Sequence, residues 1–367
     1  MKRLLLIITL TALAPTLTLA TLELVARTLW PSDEPVDKCI RPDPQVMYTH
    51  SPSCLYSSQI PESEPVDYRY DECGFRHVTP CTFGNSLLSR IVFVGDSFTE
   101  AMAVPVEDGY AWRSRQELLN QGFPVEVINL GVSGFDLLQY HERLRTALAF
   151  KPRLVVLGLL PNDLFEDPSF KGLQKLRDGL ATLGPTKLIE ERERAWRDGS
   201  LLVFVRYLLS KSTAATMFQH YVYAHDTIYL STYLARGVTA DYLQREFSPE
   251  WEEKVAGASD LIRRMHEDAH RAGAELIVLF IPQRIQAAMI SVGNLDNRID
   301  PSALARRLHN SLSPAIRFID FLEALRTHPH PSALYFPVDG HLTKEGHTLL
   351  AKTLSSYLIN SGLLKEQ

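Results

Sequence analysis

Hydrophobic and polar positions follow two alternating patterns between residues 89 and 362. Short, mostly apolar runs predict buried strands, and the longer segments between them repeat their apolar positions with a helical spacing. The predicted strands are 90–94, 125–131, 152–160, 274–282 and 316–321. Because these strands alternate with helices and are largely apolar on both faces, the pattern predicts an α/β protein with a helix-covered parallel sheet.

The predicted helices include one at the C-terminal end of this region that carries a clear apolar stripe. In residues 344–362, Leu350, Leu354, Tyr357 and Leu358 recur with helical spacing and are expected to pack on the sheet. The other predicted helices are 107–122, 135–150, 249–273 and 302–312.

A long stretch of about 164–248 interrupts the alternation with amphipathic and aromatic-rich pieces, which predict a mostly helical insertion. Charged residues such as Arg206 argue against a second membrane span within it. The insertion leaves the sheet directly after Asn162, so we expect it to cover that edge of the sheet. The predicted organisation is an N-terminal export segment, an irregular segment and one α/β domain, at residues 1–30, 31–88 and 89–362.

The N-terminus reads as an export signal. Lys2 and Arg3 precede an uncharged apolar run over 4–22. Two interpretations stay open: a signal peptide cut after Ala20, or a single membrane anchor formed by residues 4–26. In both, the positive charges at the start place the remaining chain on the periplasmic or extracellular side.

The cysteines support an oxidising compartment, because all four fall in the segment before the α/β domain and none follows. An even number of cysteines in an exported, loop-rich segment predicts two disulfides, whose three possible pairings the sequence leaves open. No C-x-x-C pair is present, so a metal site is not expected there. The four residues are Cys39, Cys54, Cys73 and Cys81.

Composition narrows the function classes. The 367 residues carry a net charge of -5 and are 45% hydrophobic, which is typical of a globular protein. No domain-scale basic stripe appears, so a nucleic-acid partner is not expected. The oligomeric state is not determined by these features.

Polar residues with acyl-transfer chemistry collect where the predicted strands end. The first strand ends in Gly95-Asp96-Ser97, the second leads to Gly134, and the third to Asn162-Asp163. Asp339 and His341 precede the last helix. Because the carboxyl ends of parallel strands meet at one sheet edge, these residues predict a site with a hydroxyl nucleophile, a base, an orienting acid and oxyanion donors.

This set of motifs resembles the SGNH hydrolases, also called the GDSL esterase/lipase family, over about 70–362. The resemblance implies a three-layer, flavodoxin-like parallel sheet and a serine-dependent reaction without a metal or organic cofactor. It implies Ser97 as nucleophile, His341 as base and Asp339 as orienting acid. The oxyanion donors it implies are the amides of Ser97 and Gly134 and the side chain of Asn162, with Asp96 and Asp163 in supporting roles.

The chain departs from the usual motifs at three places. Ala101 and Leu160 stand where the family often has Gly, and the acid and base are separated by one residue rather than two. The D-x-H spacing also occurs in exported relatives that handle acetyl groups on polysaccharides. His347 is a rival base, but its place on the apolar stripe of the last helix favours a packing role.

The leading functional hypothesis is an exported serine esterase that hydrolyses an ester bond through an acyl-serine. One alternative is an O-acyltransferase or deacetylase acting on envelope polysaccharide. Another is a catalytically inactive, tethered glycan-binding protein. The expected partners are an ester or acylated-glycan substrate, and a membrane through the N-terminal segment only.

Overall fold

The structure is a computed structural model. It describes residues 2–30, 38–76, 81, 86, 88–189, 212–235, 237–293 and 295–364; the side chains of 2–12 and 237–239 lie outside that description. Arg206 and most of the middle of the insertion also lie outside the described residues.

The segment before the α/β domain, described over 38–76, 81, 86 and 88, contains regular structure that the sequence does not predict. It holds two antiparallel hairpins whose strands have four residues each, too short for a periodic pattern to reveal them. Two disulfides form as predicted, Cys39–Cys54 and Cys73–Cys81. The hairpins follow helix α1 (Lys2–Leu29) and consist of β1 (Ile40–Asp43), β2 (Met47–His50), β3 (Leu55–Ser58) and β4 (Val66–Arg69).

The α/β domain is built on a five-stranded parallel sheet, which confirms the predicted fold class. The strand order β6-β5-β7-β8-β9 places the second and third strands of the sheet on opposite sides of the first. This topological switch leaves an open crevice at the carboxyl end of β5. The strands are β5 (Ser89–Val94), β6 (Val125–Asn129), β7 (Leu154–Leu159), β8 (Glu275–Phe280) and β9 (Arg317–Asp320).

Alternate side chains of β5 enter two separate hydrophobic cores. Val92 and Val94 join the core on one face, and Ile91 and Phe93 join the core on the other. Helices cover both faces, so the domain has three layers. The described helices of the domain are α2 (Ser97–Glu100), α3 (Tyr110–Asn120), α4 (Leu137–Ala149), α5 (Phe170–Leu183), α6 (Thr213–Tyr223), α7 (Asp226–Leu234), α8 (Pro249–Arg271), α9 (Arg284–Val292), α10 (Ala303–Ser311), α11 (Leu322–Thr327) and α12 (Lys344–Asn360).

The predicted apolar stripe of α12 packs on the sheet, where Leu350, Leu354 and Leu358 are fully buried. Helix α9 was not predicted from the sequence. Most of its residues are buried, including Arg284 and Gln286, so it lacks the polar face that marks a surface helix.

The described part of the insertion is helical and contacts the N-terminal helix. The Glu23 carboxylate of α1 accepts hydrogen bonds from Ser212 Oγ (2.7 Å) and from the amides of Thr213 (3.0 Å) and Ala214 (3.1 Å). Glu23 therefore caps the first turn of α6. Among the described residues, no helix combines the length and the apolarity that crossing a bilayer requires.

Candidate active site

Ser97 lies at the carboxyl end of β5 on a tight turn into α2. Asp96 is the N-cap of that helix, and its Oδ1 accepts a hydrogen bond from the Phe98 amide at 2.9 Å. A Cβ atom at Gly95 would collide with the Thr99 side chain, so only glycine lets the helix fold back this closely on the strand. The Gly95-Asp96-Ser97 sequence thus holds the Ser97 hydroxyl at the sheet edge.

A continuous hydrogen-bonded array joins Ser97 to the loop before α12. Ser97 Oγ lies 2.7 Å from His341 Nε2, and His341 Nδ1 lies 2.6 Å from Asp339 Oδ1. Asp339 Oδ1 also accepts the His341 amide at 3.2 Å, across a turn in which Gly340 has a φ of +86°. One intervening residue therefore suffices to bring the carboxylate to the imidazole, because that residue is a glycine.

The electrostatics of this array favour an ion pair. Burial lowers the pKa of His341, but the Asp339 carboxylate, with further contributions from Asp96 and Glu100, outweighs burial and leaves that pKa above its ordinary value. Burial likewise raises the pKa of Asp339, yet the charge and hydrogen bonds of His341 lower it overall. Asp339 therefore stays ionised and stabilises the protonated form of His341.

His347, the rival base, is enclosed elsewhere in the domain. It is fully buried, and its Nδ1 accepts a hydrogen bond from the Tyr110 amide at 3.2 Å. Burial lowers the pKa of His347 to about 3. It lies on α12 and packs against Tyr110 of α3, as its place on the apolar stripe indicated.

Gly134 and Asn162 border the same edge of the sheet. Gly134 has a φ of +77°, and a Cβ atom there would lie 2.7 Å from the Tyr48 hydroxyl, so the position requires glycine. Tyr48 donates to the Ser133 carbonyl at 3.0 Å and so braces this loop from the N-terminal hairpin. Among the described residues, the amides of Ser97 and Gly134 donate to no other protein group.

The orientation of the Asn162 side chain is set by its neighbours. Gln283 Nε2 donates to Asn162 Oδ1 at 2.8 Å, and the Asn162 side chain also bonds the Asp96 carboxylate. Gln283 is itself held by the Tyr242 hydroxyl, which donates to Gln283 Oε1 at 2.9 Å. With its oxygen accepting from Gln283, Asn162 presents N–H groups to the site.

Asp96 and Asp163, the aspartates predicted to support the site, are both buried. Burial raises the pKa of Asp96 to about 6, although the Phe98 amide and His341 oppose the shift. Burial and then the charge of Asp96 raise the pKa of Asp163 well above its ordinary value. Asp163 accepts from the Leu160 amide (2.7 Å) and from Tyr140 (3.0 Å), which fixes the turn after β7.

The N-terminal hairpin segment supports the site in ways that sequence reasoning missed. The buried Glu100 carboxylate accepts hydrogen bonds from the Tyr70 hydroxyl and from the Ser133 amide and hydroxyl, each at 2.6 Å. The buried Arg76 guanidinium donates to the carbonyl of Glu100 (2.9 Å), the last residue of α2, and to that of Val104 (2.8 Å) just after it. These partners are far apart in the sequence, so no local pattern could reveal them.

No cluster of three His, Cys, Asp or Glu side chains that could hold a metal ion occurs in the described ranges. A parallel sheet covered on both faces, with a Ser–His–Asp array at its carboxyl edge, is an arrangement typical of serine-dependent acyl hydrolases.

Comparison with known proteins specifies the family. The sequence model that describes the GDSL-like lipase/acylhydrolase family matches residues 93–349 of this chain. The chain therefore belongs to this family. The family match indicates an ester-hydrolysing enzyme. No curated protein matches the chain.

Solved structures that resemble the chain do so at low sequence identity. TesA is 16% identical with a TM-score of 0.40, over 74% of this chain and 98% of that one. The lipase/acylhydrolase from Enterococcus faecalis is 14% identical with a TM-score of 0.40, over 75% and 97%. A lipolytic protein of the G-D-S-L family from Desulfitobacterium hafniense is 15% identical with a TM-score of 0.37, over 73% and 98%.

Proposed function

We propose that this protein is an exported serine esterase that hydrolyses an O-acyl ester through an acyl-serine intermediate. The observation that carries the proposal is the array in which His341 bonds Ser97 at 2.7 Å and Asp339 at 2.6 Å. That geometry suits proton transfer from a hydroxyl nucleophile to a base that is held by a carboxylate.

In the proposed reaction, His341 Nε2 takes the proton from Ser97 as Oγ attacks the ester carbonyl. The imidazolium that forms is stabilised by Asp339. The amides of Ser97 and Gly134 and the side chain of Asn162 donate to the oxyanion, and one such donor is typically worth about 3 kcal/mol in the transition state. His341 then protonates the departing alcohol, and a water molecule, deprotonated by His341, releases the acid from Ser97.

A second candidate is an O-acyltransferase or deacetylase that acts on envelope polysaccharide. The one-residue spacing between Asp339 and His341 and the partial exposure of both side chains, 22% and 18%, favour access by a bulky acylated glycan. In the transferase version, a sugar hydroxyl replaces water as the acceptor of the acyl group. Incubation with an acetyl donor and a glycan panel, followed by mass spectrometry, distinguishes hydrolysis from acyl transfer. Free acetate with no acetylated sugar would exclude the transferase.

We also propose that the enzyme works outside the cytoplasm, held by its N-terminal segment. The two disulfides are consistent with export. The leucines of α1 whose side chains the structure describes, among them Leu13, Leu17 and Leu19, are at least half exposed and leave an apolar surface that the described residues do not cover. Such a surface suits residues 4–26 as a membrane anchor.

The central test compares the purified protein with its Ser97→Ala variant on p-nitrophenyl acetate. The variant should lose at least about 10³-fold in kcat, because the nucleophile is removed. A Ser291→Ala variant, changed at an exposed serine, should keep full activity. A fluorophosphonate probe should label the parent and the control but not the Ser97 variant. Equal rates for all three proteins would exclude the proposed mechanism.

A further inference from the structure

A buried carboxylate from the N-terminal segment contacts the loop that carries Asp339. Glu62 lies between β3 and β4, and its side chain is only 1% exposed. Its Oε2 accepts the amide of Asp339 at 2.8 Å, and both carboxylate oxygens accept the amide of Val338, at 3.0 and 3.1 Å. Glu62 thus bonds the main chain of the proposed orienting acid.

The loop needs such a partner because its own hydrogen bonds leave these two amides unused. Within the loop, the Phe336 amide donates to the His341 carbonyl at 2.9 Å, and the Gly340 amide donates to the Phe336 carbonyl at 3.0 Å. These bonds close the turn at its base. Glu62 alone, among the described residues, accepts from the amides of Val338 and Asp339, so it sets where the Asp339 main chain lies.

A buried carboxylate is costly unless it is fully hydrogen-bonded, and Glu62 has a third partner. The His220 ring of α6 lies 2.6 Å from Glu62 Oε1, and the Trp30 ring packs edge-on against that histidine at 4.9 Å. Glu62 therefore joins three parts of the chain: the N-terminal hairpins, the helical insertion and the loop of the array.

We propose that Glu62 is a positioning residue for the reaction: it holds the Asp339 loop so that the carboxylate stays within hydrogen-bond distance of His341. This inference rests on the proposed function. It makes the N-terminal segment, which precedes the family-matched residues 93–349, a working part of the site. Without Glu62, the loop retains its closing bonds but loses the contact that fixes Asp339.

The first test compares Glu62→Ala and Glu62→Gln with a matched control, Glu64→Ala. Glu64 is an exposed glutamate two residues away on the same loop and should tolerate the change. A displacement of about 1 Å in a reacting group can cost about 10²-fold. We expect kcat to fall by about that factor in Glu62→Ala with KM within about twofold, and by less in Glu62→Gln, which keeps an acceptor oxygen.

The second test asks whether Glu62 acts through Asp339. In Glu62→Ala, the acid limb of the pH profile should move to lower pH, because His341 loses the carboxylate that raises its pKa. The charges of Asp96 and Glu100 also raise the pKa of His341, and the variant should leave their contributions unchanged. Combining Glu62→Ala with Asp339→Asn should give the rate of Asp339→Asn alone, since the positioned group is already absent.

Three outcomes would overturn the inference: wild-type kcat in both Glu62 variants, an unmoved acid limb, or multiplicative losses in the double variant. Thermal unfolding is measured for every variant. If Glu62→Ala fails to fold, the kcat and acid limb of Glu62→Gln decide the question. An inactive Ser97→Ala beside a fully active Glu62→Ala would reject this inference and leave the proposed function standing. An active Ser97→Ala would reject the proposed function itself.

Discussion

At the scale of single residues, one side-chain amide shows how precisely the site is arranged. Asn162 can donate to an oxyanion only if its nitrogen faces the site, and Gln283 enforces that orientation by donating to Asn162 Oδ1 at 2.8 Å. Tyr242 in turn fixes Gln283 by donating to its Oε1. The orientation of a proposed oxyanion donor therefore depends on two residues that do not face the reacting atoms.

The variant Gln283→Glu tests this dependence with almost no change in shape. A carboxylate cannot donate to Asn162 Oδ1. The Asn162 side chain should therefore turn its nitrogen toward the new carboxylate and its oxygen toward the site, where it can no longer donate to the oxyanion. The expected loss approaches that of one oxyanion donor, about 10²–10³-fold in kcat. Steady-state kinetics on p-nitrophenyl acetate measure it. Gln174→Glu, on the exposed face of α5, serves as control; an undiminished kcat in Gln283→Glu would contradict the assignment.

The pH dependence of the reaction should report His341. In the proposed reaction, the neutral imidazole accepts the Ser97 proton. The pKa of His341 lies above 6.5 because Asp339, Asp96 and Glu100 together outweigh burial. Activity should therefore fall as pH drops through a value higher than 6.5. In Asp339→Asn, this limb should move to lower pH, and kcat should fall by up to about 10⁴-fold. The measurement is kcat/KM against pH; identical limbs in both proteins would contradict it.

Ala101 shows how a departure from the family motif is accommodated. It has a φ of +67°, where glycine is usual, and it is fully buried. The left-handed conformation costs alanine about 1–2 kcal/mol. Burial of its methyl group stabilises the folded state by about 0.8 kcal/mol. The lower unfolded-state entropy of alanine relative to glycine stabilises the folded state by roughly 0.5–1 kcal/mol more. These effects nearly cancel, so alanine is compatible with this turn.

At the scale of elements, the two hairpins contact and support the loops of the site and do not merely link α1 to the domain. They carry Tyr48 against the Gly134 loop, Glu62 against the Asp339 loop, and Tyr70 against Glu100. Strands of four residues have little stability of their own. Their position therefore depends on packing against the domain and on the disulfide that joins Cys39 to Cys54.

Removal of the Cys39–Cys54 disulfide should lower the free energy of unfolding of the protein. Closing 15 residues corresponds to about 3 kcal/mol in the chain-entropy description, and closing 8 residues to about 2.5 kcal/mol. The variant Cys39→Ser with Cys54→Ser should lose about the first amount in the free energy of unfolding, measured by urea denaturation. Cys73→Ser with Cys81→Ser is the matched comparison. No loss in either pair would show that the disulfides do not constrain the unfolded chain.

At the scale of the whole molecule, the N-terminal helix, the insertion and the site form one connected system. Glu23 of α1 caps α6, α6 supplies His220 to Glu62, and Glu62 bonds the Asp339 loop. Hydrogen bonds from Ser212 and Arg27 and from two backbone amides overcome burial and lower the pKa of Glu23 to about 2. The C-terminal end of α1 is thus joined to the domain.

Cell fractionation tests the proposed location. The full-length chain should stay in the membrane pellet after an alkaline wash, because residues 4–26 would hold it there. Its four cysteines should resist alkylation until a reductant is added. A soluble protein that begins at Thr21 would instead establish cleavage after Ala20, and alkylation of all four cysteines without reductant would contradict export.

The sequence alone determined the sheet, most of its helices and the residues of the array. Apolar runs and helical spacing are local properties, so they predicted the five strands and the buried face of α12. The polar residues at the strand ends could be grouped because parallel strands bring their carboxyl ends to one edge. The sequence also predicted two disulfides, but not their pairing.

Only the tertiary structure decided how the site is held. Tyr48 and Ser133 are 85 residues apart, Gln283 and Asn162 are 121 apart, and Glu62 and Asp339 are 277 apart. Periodicity reports which face of an element is buried, but it carries no information about which distant polar groups meet there. Each of these bonds forms only after packing has fixed the two backbones, so the sequence could supply the proposed reacting groups but not their supports.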